Sequence, residues 1–214
     1  MRKISIIAYI ALICLFTSCQ KDIGFDSPPN DNQNTNSDYM PVSAGSKWNY
    51  SSTLLGNYTN TSLGTDTLIN DQKYYKFDNS IGGRQYIRKS NGVYSAYGYS
   101  LIARLAVNMI VLKDAAVGTT WTNVINNAGT ISNHKYTIAE RDIEKTVNGI
   151  TFKNVIAVDY EATVNDPTTG TPFKYGTGKG FYAKGVGPIS SSMDVDFMGL
   201  VMKDSTYLVS YTIK

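Results

Sequence analysis

The chain has 214 residues, 42% of them hydrophobic, which is enough apolar material for a sizeable folded core. Its 20 basic and 17 acidic side chains include Arg2 and Lys3 in the opening segment; without those two the balance is near neutral and interspersed, which excludes the clustered basic face that a nucleic-acid partner requires. One histidine and two cysteines also exclude an ordinary structural zinc site.

Met1-Arg2-Lys3, the apolar run from Ile4 to Phe16 and the small polar pair Thr17-Ser18 before Cys19 have the three-part layout of a secretory signal. The apolar run is shorter than the roughly 20 residues of a spanning helix. Phe16-Thr17-Ser18-Cys19 resembles the lipobox of bacterial lipoproteins, with Phe16 where leucine is usual and Leu15 one place early. That resemblance implies cleavage after Ser18 and lipid attachment, with thioether-linked diacylglycerol and palmitate, at Cys19. Cys14 is the poorer candidate, because the bulky Ile13 beside it suits a small-residue pocket badly. The alternative is an ordinary export signal that leaves Cys19 as a free thiol. Once Cys14 departs with residues 1–18, no intramolecular disulfide is possible.

Residues 19–38 follow as a lipidated tether. Gln20 to Asp38 is rich in Asn, Asp, Ser and Pro and cannot bury a core; its reach is on the order of 25 Å. Folding is expected to begin near Tyr39, giving one β-rich domain over 39–214.

Within that domain the apolar residues fall in short period-two runs, the pattern of strands. Lys73 to Phe77, Arg84 to Arg88, Lys135 to Ala139, Phe152 to Glu161 and Tyr207 to Ile213 are all rich in β-branched and aromatic residues. Asn91-Gly92 and Asn148-Gly149 predict two-residue hairpins, and Asn70-Asp71 and Pro167 to Gly170 mark further turns. Leu101 to Val107 is the one candidate for a short helix. The expected fold is all-β, an antiparallel meander forming a sandwich or a curved half-barrel.

Gly45-Ser-Lys-Trp48 recurs as Gly118-Thr-Thr-Trp121, and two further pairs of elements follow in the same order. Either an internal duplication produced units of about 39–112 and 113–214, or β-rich sequence has repeated its glycines and aromatics by coincidence. A true duplication predicts two similar sheets that pack or merge.

Tyr39-Met-Pro-Val42 with Gly45 to Tyr50, then Gly118 to Trp121, then Phe181-Tyr-Ala-Lys-Gly-Val-Gly-Pro188 together carry a likeness over most of the mature chain. By the lipobox cysteine, the Gly-x-x-Trp pattern and this last motif, the chain resembles a family of uncharacterised lipoproteins of the Bacteroidota outer membrane, departing from it at Pro188. The resemblance implies a cell-envelope protein held on the outer membrane by N-terminal lipid. Gln20-Lys-Asp22 matches a surface-display signal only in part, so the periplasmic and surface faces both stay open.

The motifs of chemistry are sparse. A histidine-based triad needs an oriented imidazole, and His134 reads as a solvent-facing strand residue. Asp194, Asp196, Asn165 and Asp166 lack the spacing of a calcium loop. Gly176-Thr-Gly178-Lys-Gly180 has no helix behind it to hold a phosphate and reads as a strand bend or bulge. Asp159 with Glu161, and Asp194 with Asp196, each share a strand face, as a glycosidase pair would, but exposed strands commonly carry such charges. Tyr94, Tyr97 and Tyr99 are candidate ligand aromatics, with Tyr97 and Tyr99 on one face and Tyr94 on the other. No catalytic residue, cofactor site or metal site is assigned. The expected role is a non-catalytic binding or accessory protein with a glycan, peptide or envelope-protein partner. The alternatives are a carboxylate-dependent glycan hydrolase, or a lipid carrier with an apolar concave sheet under a lid at Leu101 to Val107.

Overall fold

The computed structural model describes residues 38–100, 105–127, 130–165, 169–197 and 200–214. Among them the regular elements are strands: β1 (Lys47–Ser52), β2 (Gly56–Ile69), β3 (Gln72–Asn79), β4 (Gly83–Ser90), β5 (Val93–Ser100), β6 (Leu105–Lys113), β7 (Thr120–Asn127), β8 (Thr130–Val147), β9 (Ile150–Asn165), β10 (Pro172–Ala183), β11 (Gly187–Phe197) and β12 (Leu200–Thr212). All neighbours are antiparallel in one sheet of order β6-β5-β4-β3-β2-β1-β12-β11-β10-β9-β8-β7. The chain therefore makes two six-stranded meanders, β1–β6 and β7–β12, merged edge to edge where β1 pairs with β12. Of the two expected forms the curved one is observed, and the sheet curls until β6 approaches β7 in a nearly closed barrel.

Backbone edges left open would invite pairing with another chain, and here side chains seal the gap between β6 and β7. Trp121 Nε1 and Asn123 Nδ2 both donate to the Ile110 carbonyl at 2.9 Å, and the Ile110 N–H donates to Asn123 Oδ1 at 2.9 Å.

Turn chemistry fixes the register. Asn91-Gly92 and Asn148-Gly149 hold both central residues at positive φ, as a type I′ turn requires, and they close Ser90 on Val93 and Val147 on Ile150. Asn70-Asp71 does the same for β2 and β3. The expected helix does not form over its described part: residues 105–107 open β6, while 101–104 lie outside the described residues.

Strand alternation sends one set of side chains into the barrel. On β8 and β9 these are His134, Tyr136 and Ile138 facing Val158, Tyr160 and Ala162, while Lys135, Asp159 and Glu161 point out. At the end carrying the β4–β5 and β10–β11 turns, the segment before β1 enters the interior. Tyr39 is fully buried against Leu112, Trp121, Ile138 and Ile156. Its N–H donates to the Tyr94 hydroxyl at 3.3 Å and its own hydroxyl to the Asn154 carbonyl at 3.2 Å. Gly185 N–H donates to the Asp38 carbonyl, and Lys89 forms an ion pair with Asp38. The segment is thus a plug in that end of the barrel, with Trp48 beside it donating to the Val186 carbonyl at 2.7 Å.

Candidate functional site

Away from the plug the interior is unfilled. An open cavity of about 480 Å³ lies between the walls of the barrel, inside the range of small-molecule sites. On β10 it is lined by Lys179, Gly180 and Tyr182. Gly176, Gly178 and Gly180 pair with Ala162, Tyr160 and Val158 on one side and with Val195, Met193 and Ser191 on the other, so all three face inward and contribute no side chain. The expected strand irregularity is present at both ends of this run, where the register slips at Lys174/Gly176 against β9 and at Phe181/Tyr182 against β11.

The cavity wall is largely apolar and aromatic, with Val107, Met109, Ile125, Val158, Tyr136 and Tyr182 among its surfaces. Trp121 and Tyr136 stack at 5.4 Å and 7° just behind it. Polar side chains break the apolar lining, among them Lys179, Ser191, Ser192 and Thr206, with two hydrogen-bonded groups beside them. On the β12 side Asp204 accepts from Ser52 Oγ at 2.7 Å, Thr53 Oγ1 at 3.1 Å, Leu54 N at 3.2 Å and Thr206 Oγ1 at 3.0 Å; its charge is spent on holding the β1–β2 turn. On the β8–β10 side stands a linear cluster. His134 Nδ1 lies 2.8 Å from the Tyr160 hydroxyl, His134 Nε2 lies 2.5 Å from Ser132 Oγ, and Ser132 Oγ lies 3.2 Å from the Tyr175 hydroxyl.

The expectation of a solvent-facing His134 is therefore corrected: the residue is 2% exposed. It shares strand parity with Tyr136 and Ile138, and that parity is the signal that marks its direction. Burial lowers its pKa to about 4, because the charged imidazolium loses hydration that no nearby carboxylate replaces. Burial likewise raises the Tyr160 and Tyr136 hydroxyls well above the ordinary phenol range. The cluster is neutral at physiological pH.

Cys19 lies outside the described residues. Tyr94 is placed in the core behind the plug, 6% exposed and hydrogen-bonded to Tyr39. Tyr97 is on the opposite face, as alternation requires, beside Tyr74 and Tyr86 at interplanar angles of 59° and 65°. These rings are tilted against one another. The Tyr99 side chain lies outside the described part. The candidate hydrolase carboxylates face away from the cavity: Asp159 meets Lys179 at 3.4 Å, Glu161 meets Lys174 at 2.8 Å and Asp194 meets Lys203 at 3.1 Å, all on the outer surface. Asp196 is exposed with them, and Asp166 lies outside the described residues.

No family model matches the sequence, and no curated protein matches it. Two solved structures are similar to it. One is a provisionally assigned lipoprotein from Parabacteroides distasonis, at TM-score 0.51 and 10% identity over 84% of this chain and all of that one. The other is a provisionally assigned exported protein with a YmcC-like fold from Bacteroides fragilis, at TM-score 0.45 and 12% identity over 81% of this chain and 98% of that one. At such identities the likeness to the first is one of fold.

Proposed function

We propose that this chain is a lipid-anchored binding protein of the outer membrane, attached through Cys19, whose barrel holds one largely apolar small ligand. The observation that carries the reading is the open cavity of about 480 Å³, walled largely by aliphatic and aromatic side chains. Burial of an apolar ligand there is worth roughly 25 cal/mol per Å² removed from water before the costs of association. Among the readings open to the sequence, the cavity favours the lipid carrier over a glycan hydrolase, whose acids stand outside and are paired with lysines. The lipobox supports the anchor.

The test has two arms. Intact mass of the protein from a Bacteroidota host, beside Cys19→Ala, reads the anchor: a diacylglycerol mass that vanishes in the variant supports it, and an unmodified Cys19 overturns it. Uptake of the neutral fluorophore N-phenyl-1-naphthylamine by the purified domain reads the cavity. Saturable, one-to-one enhancement supports a ligand site; no enhancement over buffer at micromolar protein rejects it.

A further inference from the structure

The polar cluster on the cavity wall carries information about the ligand's chemistry. Tyr175, Ser132, His134 and Tyr160 form a continuous chain of hydrogen bonds from β10 through β8 to β9, with Tyr160 at the cavity end. A neutral imidazole has one donor and one acceptor nitrogen, so the chain has two self-consistent directions. With the proton on Nε2, His134 donates to Ser132 and accepts from Tyr160, which then presents oxygen lone pairs to the cavity. With the proton on Nδ1, Ser132 donates to His134, His134 donates to Tyr160, and the Tyr160 O–H is released toward the cavity. The two states differ only by hydroxyl rotation and a tautomer shift, so a ligand can select either.

Charge is handled differently. The two ionised side chains at the cavity wall are already engaged, Asp204 by four donors and Lys179 by Glu140 and Asp159, each at 3.4 Å. An ionised ligand head placed by Tyr160 would find no free counter-charge and would lose its hydration.

Resting on the reading of the barrel as an apolar-ligand site, we infer that the ligand is an uncharged amphiphile with a hydroxyl or carbonyl head, and that Tyr160 receives that head. The lowered pKa of His134 supports this, since the chain stays neutral and reversible throughout the physiological range.

The test is displacement of N-phenyl-1-naphthylamine from the wild-type domain at pH 7.5 by 1-monooleoylglycerol and by oleate, which share a chain and differ in head charge, both kept below their micelle concentrations. Monooleoylglycerol is expected to displace the probe at a concentration at least tenfold lower than oleate. Tyr160→Phe should weaken monooleoylglycerol by about fivefold, measured relative to the variant's own probe affinity, the worth of one neutral hydrogen bond. Equal or better displacement by oleate overturns the inference without touching the cavity reading, and so does an unchanged monooleoylglycerol affinity in Tyr160→Phe. Failure of the probe itself to bind overturns both. The wild-type comparison holds whether or not the variant folds.

Discussion

Lowering the pH should destabilise this barrel through His134 before its surface carboxylates titrate. The unfolded histidine has a pKa of about 6.5, and burial lowers it to about 4 in the fold. Between those values the unfolded chain binds a proton that the folded chain refuses, so stability is full above pH 6.5 and falls as the pH drops toward 4. The shift corresponds to about 3 kcal/mol at the acid limit and about 2 kcal/mol at pH 5. Urea unfolding across pH 7.5 to 4.5, wild type beside His134→Gln, isolates the effect. Glutamine keeps a hydrogen-bonding side chain but does not titrate. At a typical urea slope the wild-type midpoint should fall by roughly 1 M at pH 5, and the glutamine variant should stay nearly flat over the same interval. Parallel curves for the two proteins would refute the argument that an uncompensated buried imidazole sets the acid limit.

Tyr39→Ala should cost about 3–5 kcal/mol, the usual loss for emptying a buried aromatic site, because the side chain fills the plugged end and is fully buried; a thermal melt of the domain checks it, and an unchanged midpoint would show that the plug is dispensable. Gly178→Ala would bring a Cβ within 2.4 Å of the Ser192 carbonyl oxygen, so strand β10 or β11 must shift, and a loss of about 1–3 kcal/mol is expected in denaturant titration. Asn123→Ala removes both of its hydrogen bonds to Ile110 across the β6–β7 gap. The expected cost is about 2 kcal/mol, with faster amide hydrogen exchange in β6 and β7 than in β1 and β12, and uniform exchange across the barrel would contradict the role given to the gap.

Local chemistry was the legible part of this fold. Asn91-Gly92 and Asn148-Gly149 marked hairpins because few residue pairs accept two successive positive φ angles, and both turns are observed. The parity of Asp159 with Glu161 was equally readable, since a strand admits only two faces. What parity leaves open is which face is the interior, and His134 was read outward although Tyr136 and Ile138 on the same face are large and apolar. The run from Leu101 to Val107 was ambiguous for another reason: a short apolar stretch without glycine or proline suits either element, and the ladder with β5 decides for a strand at 105–107. The repeated Gly-x-x-Trp stands at the entrance to β1 and to β7, the first strand of each meander. Both tryptophans bond a distant carbonyl, at Val186 and at Ile110, so the pattern marks structural positions whatever its history. The cavity was not legible at all, because it depends on how far the sheet curls.

That curl also explains why the barrel needs two kinds of filling. An eight-stranded barrel is just narrow enough for its own inward side chains to fill, and diameter grows with strand number, so twelve strands enclose more width than alternating residues can occupy. At one end the excess is taken up by chain from outside the strands, with Tyr39 inserted between Trp121 and Ile156. At the other end no described segment enters, and Gly180 of β10 lines the cavity without a side chain, where neighbouring strands present Tyr160 and Met193. Gly176 and Gly178 answer to packing instead, since a Cβ at Gly178 would meet the Ser192 carbonyl oxygen at 2.4 Å and one at Gly176 the Ala162 Cβ at 3.3 Å. Room is kept beside a neutral hydrogen-bonded chain that reaches the cavity, and the conjunction of open space with a satisfied, reversible polar group is what the proposed ligand site rests on.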